Sequence, residues 1–126
     1  MNENMINWFE IPVDDFTRAK AFYESIFEFS LTELNIGDTH KMATFPVDQQ
    51  SGKVGGGIMA GEGYVPSSNG ALLYLNANPD LQNVLDRVES NGGSVVMPKR
   101  QISEDVGFMA VIIDTEGNRI ALHSQA

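Results

Sequence analysis

The chain has 126 residues, 42% of them hydrophobic and with no long apolar run, which suits one soluble domain able to bury roughly two thirds of its unfolded surface. Its net charge of −9 repels the phosphate backbone, which argues against nucleic acid as a partner, and no stretch is apolar enough to suggest a membrane one. Cysteine is absent, removing disulfides, thiolate metal sites and cysteine nucleophiles together.

The start, Met1-Asn2-Glu3-Asn4-Met5, is polar and acidic and does not read as a secretory signal, so a cytoplasmic location is expected by default. A short apolar strand, Ile6 to Val13, then leads through Asp14-Asp15, either of which can cap, into an amphipathic helix. Ala19, Phe22, Tyr23, Ile26 and Phe27 recur at the three-and-four spacing of a buried stripe, while Arg18, Lys20, Glu24 and Ser25 face away. After the helix the period changes to two. Phe29 to Leu34, Lys41 to Val47 and Val54 to Met59 read as strands, parted by Asn35-Ile36-Gly37-Asp38 and by Asp48-Gln49-Gln50-Ser51-Gly52. A flexible connector rich in glycine and serine runs from Gly61 to Gly70.

Beyond the connector a second strand, Ala71 to Ala77, precedes a helix carrying Leu81, Val84, Leu85 and Val88. Asn78 is its expected N-cap, Pro79 its first residue, and Asn91-Gly92-Gly93 its close. Both helices should run about three turns. Strands at Ser94 to Met97, Phe108 to Ile113 and Arg119 to His123 follow, the last two joined by Asp114-Thr115-Glu116-Gly117-Asn118, whose glycine suits a left-handed turn. Pro98 to Gly107 reads as a loop, and Lys99-Arg100 within it as solvated surface or as a clamp for an anion.

The chain therefore carries one pattern twice. Setting Asp15 on Asp80 pairs Phe16 with Leu81, Ala19 with Val84 and Tyr23 with Val88. Two copies of a βαβββ unit, residues 1–60 and 71–126, should share one core, because neither can bury its own apolar face alone. The fold class is α+β, and a site between the modules is expected.

This order, with Ile11-Pro12-Val13-Asp14-Asp15 leading to Phe22-Tyr23 early and an Asp-x-x-Gly-Asn turn at Asp114 to Asn118 late, resembles the vicinal oxygen chelate superfamily along essentially the whole chain. That group includes glyoxalase I, extradiol dioxygenases and the fosfomycin- and bleomycin-resistance proteins. The resemblance implies two modules forming a cupped, barrel-like mixed sheet with helices on the outside, a divalent metal in the cup, and a homodimer. Whether the modules pair within one chain or exchange with a partner stays open.

The resemblance also says where metal ligands belong. A first-strand histidine, seven residues before the capping aspartate, falls on Trp8; its second-module equivalent, allowing one inserted residue at Pro79, falls on Leu72; the last-strand glutamate falls on Ala121. The matching strand of the first module, Val54 to Met59, holds no carboxylate or imidazole. Nitrogen or oxygen donors are needed at such a site, so no cofactor is expected here.

If Trp8 occupies the ligand face, strand alternation puts Glu10 on the same face, Tyr74 with Leu72, and His123 with Ala121. His40 shares a face with Met42. The candidate ligand-binding residues are thus Trp8, Glu10, Tyr74, His123 and His40. Each also has a plain structural reading: Trp8 as packing in place of a metal, Glu10 as an exposed edge carboxylate, His123 as a solvated strand end, His40 as part of a turn. Met5, Met42, Met59, Met97 and Met109 read as adaptable core filler.

Three functions fit these residues. The first is a metal-free protein binding a small organic molecule against aromatic walls, in the manner of bleomycin-resistance proteins. The second is a glyoxalase-like lyase or isomerase, or a dioxygenase, with an unconventional metal set drawn from Glu10, His40 and His123. The third is a non-catalytic regulatory partner module.

Overall fold

Asp15 and Asp80, matched in the repeat, do the same work in the two halves. In the computed structural model, which describes residues 4–48 and 51–126, the Asp15 carboxylate accepts the Arg18 N–H at 3.0 Å and the Asp80 carboxylate accepts the Gln82 N–H at 2.9 Å, each capping a helix. Module one contains β1 (Trp8–Pro12), α1 (Phe16–Phe27), β2 (Thr32–Leu34), β3 (Lys41–Thr44) and β4 (Gly55–Ala60). Module two contains β5 (Leu73–Asn76), α2 (Leu81–Leu85), β6 (Ser94–Ser103), β7 (Gly107–Ile113) and β8 (Arg119–Ser124).

Two four-stranded sheets result, ordered β1-β4-β3-β2 and β5-β8-β7-β6. In each, the first strand pairs parallel with the last and the other neighbours are antiparallel. The repeat is therefore one of topology and not of sequence alone. The curled sheets form no closed barrel, and the helices cover one face of each.

The helix-covered faces meet in a single core. Ile11, Phe16, Ala19, Phe22, Tyr23, Ile26 and Ile58 from module one are buried in one cluster with Leu75, Leu81, Val84, Val88, Ile112 and Leu122 from module two. Of the predicted stripe, Ala19, Phe22, Tyr23 and Ile26 are buried and Phe27 is half-buried, while Phe16 joins them.

A clasp at the Asp114–Asn118 turn ties the modules together. Gly117, at φ 92°, occupies the left-handed position. Asp114 accepts the Tyr23 hydroxyl proton at 2.6 Å and the N–H groups of Glu116 and Asn118 at 2.8 and 2.9 Å. Glu116 reaches the start of α1, accepting the Asp14 and Asp15 N–H groups at 3.0 and 2.7 Å and pairing with the Arg18 guanidinium at 2.8 Å. The Asn118 amide donates to the Pro12 carbonyl at 2.7 Å.

Three expectations are corrected. Asn78 is not the N-cap of the second helix: Asp80 is, while the Asn78 side chain accepts the Gln125 N–H at 2.8 Å. That helix is not three turns long. It ends at Leu85 and tightens into i→i+3 bonds and a 3-10 turn at Glu89–Asn91, where the Ser90 and Asn91 side chains both donate to the Arg87 carbonyl and compete with the helical ladder. Finally, Pro98 to Gly107 is not all loop. β6 runs on through Pro98 to Ser103 because it is an edge strand with register shifts against β7, positions that tolerate a missing N–H.

Candidate functional site

β1 alternates as its parity requires. Ile11 is buried and Phe9 packs against the same core, whereas Trp8 and Glu10 stand on the helix-free face of the first sheet. β4 makes room for them there. Gly55 and Gly57 lie opposite Trp8 and Glu10, and a Cβ on Gly55 would come within 3.1 Å of the Trp8 ring.

On this face Glu10 is the centre of a polar chain. Its Oε2 accepts the Trp8 indole N–H at 3.3 Å and its Oε1 accepts the Tyr64 hydroxyl at 2.9 Å. The hydrogen bond to Glu10, with burial adding to it, raises the Tyr64 phenol above its usual range. The His40 ring then stands edge-on to Tyr64, centroids 5.7 Å apart. Both imidazole nitrogens are engaged, Nδ1 with the Thr39 hydroxyl at 2.8 Å and Nε2 with the Glu62 carbonyl at 2.9 Å. Among the described residues Glu10 forms no ion pair: the four that occur join Arg18 to Glu116, Lys20 to Glu24, Arg87 to Glu28 and Lys99 to Asp80. The hydrogen-bond partners of Glu10 here are both neutral donors.

Trp8, Glu10 and His40 are thus brought together through Tyr64, while Tyr74 and His123 stand on the second sheet. Tyr74 lies opposite Ala121 in the β5–β8 ladder, and its hydroxyl reaches the Met109 sulfur at 3.9 Å. The His123 ring contacts the Val106 carbonyl through Nε2. The middle of the helix-free face here is apolar, with Tyr74 and His123 beside it. Met109, Val111 and Ala121 are buried in a small second cluster, with Leu72 and Met97 packed on it. Lys99 is corrected from a solvated residue to a tie: its ammonium pairs with Asp80 at 2.8 Å and lies 4.6 Å from the centre of the Phe108 ring.

Tyr64 escaped the sequence reading because nothing periodic surrounds it. Its signal was a lone aromatic between Gly61-Glu62-Gly63 and Val65, in a connector otherwise poor in rings.

The positions matched to metal ligands hold no ligating side chain. Trp8 offers only an indole N–H, already given to Glu10, and Leu72, Ala121 and Gly57 carry no donor atom on their side chains. Among the described residues no group of three His, Cys, Asp or Glu gathers as it would around a metal ion. This donor set does not fit a divalent cation of the kind the resemblance implies.

Two cavities lie along the seam between β1 and β5. One, of about 210 Å³, is bordered by Glu10, Pro12, Val65, Leu73 and Asn118. The other, of about 490 Å³, is lined by Phe9, Phe27, Phe29, Phe45, Leu72 and the edge of β5. Among the described residues no helix is long and apolar enough to cross a membrane.

Comparison with known proteins agrees with this architecture. A sequence model described as the Glyoxalase/Bleomycin resistance protein/Dioxygenase superfamily matches residues 5–122. CFP32 of Mycobacterium tuberculosis, which carries the name of a glyoxylase, is 31% identical over 119 residues, covering 92% of this chain; the chain spans only 44% of that protein. A glyoxylase-like domain-containing protein of Didymella fabae is 30% identical over 124 residues, covering 93% of this chain and 91% of that protein. Among solved structures, TnmS3, an antibiotic-binding protein from Streptomyces sp. CB03234, superposes with a TM-score of 0.66 at 23% identity, over 100% of this chain and 99% of that one.

Proposed function

This chain belongs to the Glyoxalase/Bleomycin resistance protein/Dioxygenase superfamily, and on that premise we propose that it is a cytoplasmic, metal-free binding protein that holds a small organic molecule on the face bearing Trp8, Glu10 and Tyr64. One observation carries this reading. The Glu10 carboxylate sits between two neutral donors, flanked by two aromatic rings, with no cationic partner among the described residues. Such a site suits a ligand with an ammonium or guanidinium group, which gains a charge partner and the face of a ring together. The net charge of −9 strengthens the field for a cation. Among the described residues no group of three His, Cys, Asp or Glu gathers around Glu10, which favours binding over metal-assisted chemistry, and the likeness to an antibiotic-binding protein supports the same direction.

The functional unit in this reading is a homodimer. Trp8 and Tyr74 are 39% and 51% exposed on the helix-free faces, and a second copy would cover large side chains that a lone chain leaves to water. Sedimentation at micromolar concentration should give twice the chain's 13.8 kDa mass.

The direct test is calorimetric titration with a panel of aromatic ammonium compounds and their neutral isosteres. Binding should favour the cations, fall at least tenfold in Glu10→Gln, and remain unchanged by EDTA. A tightly held stoichiometric zinc, nickel, manganese or iron in protein purified without chelator would overturn the reading, as would equal affinity of cation and isostere.

A further inference from the structure

The larger seam cavity is not part of the Glu10 site, and its walls have a different chemistry. Four of the chain's seven phenylalanines, Phe9, Phe27, Phe29 and Phe45, stand half-buried around it. Phe27 and Phe29 stack at 5.2 Å with their planes 8° apart, and Phe9 stacks on Phe45 at 5.8 Å. No lining residue carries an ionisable group other than the Tyr74 phenol, whose hydroxyl is turned to Met109. A charged occupant would therefore lose hydration with nothing to replace it.

The remaining wall is a strand edge. β5 is the outermost strand of its sheet, and the Ala77 N–H donates to the His123 carbonyl of β8 at 2.8 Å. On a parallel ladder alternate residues turn toward the neighbour, so Leu73 and Leu75 do as Ala77 does, and the N–H and C=O groups of Tyr74 and Asn76 point along the open edge. Backbone donors and acceptors thus border a cavity whose other walls are rings and aliphatic chains.

The corresponding cavity on the other side of the seam is smaller, about 210 Å³ against about 490 Å³. There the Asn118 amide of the clasp caps the Pro12 carbonyl on the open edge of β1, and connector residues Val65 to Gly70 lie beside it. Clasp and connector border the smaller cavity. Aromatic rings line the larger one.

We propose that the larger, phenylalanine-lined cavity of the seam is a second binding site, for a neutral fused-ring aromatic molecule that stacks among Phe9, Phe27, Phe29 and Phe45 and sets a carbonyl or hydroxyl against the edge of β5. A volume of about 490 Å³ lies within the range of small-molecule sites. The site is independent of Glu10, so each can fail without the other.

The test uses the whole chain and a neutral fluorescent probe, N-phenyl-1-naphthylamine. Saturable binding at one site per chain is expected, with blue-shifted emission. Ile6→Trp and Val54→Trp, both at the cavity rim, should weaken it at least tenfold at unchanged melting temperature, and two variants guard against one misfolding. Glu10→Gln should leave the affinity unchanged, and the anionic 8-anilinonaphthalene-1-sulfonate should bind at least tenfold more weakly than the neutral probe. Absence of saturable binding, full affinity in both tryptophan variants, equal affinity for the anion, or loss of binding in Glu10→Gln would each overturn the proposal.

Discussion

The two modules share a backbone plan and differ in what they place on it. Glu10 lies opposite Gly57 on the parallel β1–β4 ladder, and Tyr74 lies opposite Ala121 on β5–β8. In module one that face carries a carboxylate, an indole, a phenol and an imidazole joined in a chain; in module two it carries an apolar patch of Leu72, Met97, Met109, Val111 and Ala121, with Tyr74 and His123 beside it and no carboxylate joining them. The fold therefore sets the position of a side chain and leaves its chemistry free. The helix starts differ in the same way: α1 is tied by buried Glu116, α2 by half-exposed Asp80 and its lysine.

The sharpest way to break this asymmetry is at the clasp. Asp114, 3% exposed, accepts protons from Tyr23, Glu116 and Asn118. Burial, followed by the charge of Asp114, raises the Tyr23 phenol well above its usual range, so the hydroxyl stays a donor. Asp114→Ala would leave these buried donors unpaired and should cost about 3–5 kcal/mol. Both modules should melt together in urea, because their core is common. A loss below about 1 kcal/mol, or two separate transitions, would show that the clasp does not hold the halves.

Acid should find the same place. Burial alone would raise the Glu116 carboxyl, but the Arg18 guanidinium, the Asp15 N–H and the Thr115 hydroxyl outweigh it and hold the group at about 2. Its folded value lies below its unfolded one, so the stabilisation is complete above about pH 4.5 and is lost as the pH falls toward about 2. Because Arg18 is half-exposed, the amount is on the order of 2 kcal/mol. Asp80, lowered first by its bond to Lys99 and then by the Gln82 N–H, adds in the same direction. Urea midpoints measured between pH 6 and pH 2.5 should slope less in Glu116→Gln than in the parent; parallel slopes would remove Glu116 from the account.

A third comparison exchanges equivalent positions. A Cβ on Gly57 would run into the carbonyl oxygen of Ala43, a backbone atom on β3, so Gly57→Ala should lower stability by about 1.5 kcal/mol. Ala121 already fits at its place opposite Tyr74, and Ala121→Gly should cost roughly 0.5–1 kcal/mol through chain entropy and lost packing. If Gly57→Ala is silent in thermal melts, the two ladders are more alike than their side chains suggest.

What the sequence disclosed was what local periodicity controls. The stripe from Phe16 to Ile26, the pairing of Asp15 with Asp80 and the face shared by Trp8 and Glu10 follow from the repeat lengths of helix and strand. The one-residue insertion before Asp80 follows too, since Leu72 falls on the helix-free face only if it is counted. Long-range partners were not legible. Tyr64 meets Glu10 across 54 residues, and Glu116 meets Asp15 across 101. Nor was the early end of α2, where Ser90 and Asn91 take a backbone carbonyl that the apolar pattern assigned to the helix. The parity that put Tyr74 and His123 on a ligand face did not say that a different sheet carries it.

The smallest expected effect probes the weaker tie. Lys99 pairs with Asp80 at 2.8 Å and lies over the Phe108 ring, yet the Asp80 side chain is 42% exposed and water competes for both charges. Lys99→Met keeps the apolar stem over the ring and removes only the charge, so the loss should be about 0.5 kcal/mol and shrink further in molar salt. That salt dependence separates the two helix starts. The Arg18–Glu116 pair, whose carboxylate side chain is wholly buried although Arg18 is half-exposed, should respond less to salt, because a partly buried pair is screened less than an exposed one. If Lys99→Met costs as much as Asp114→Ala, the start of α2 is held as firmly as that of α1, and the asymmetry between the modules is confined to their helix-free faces.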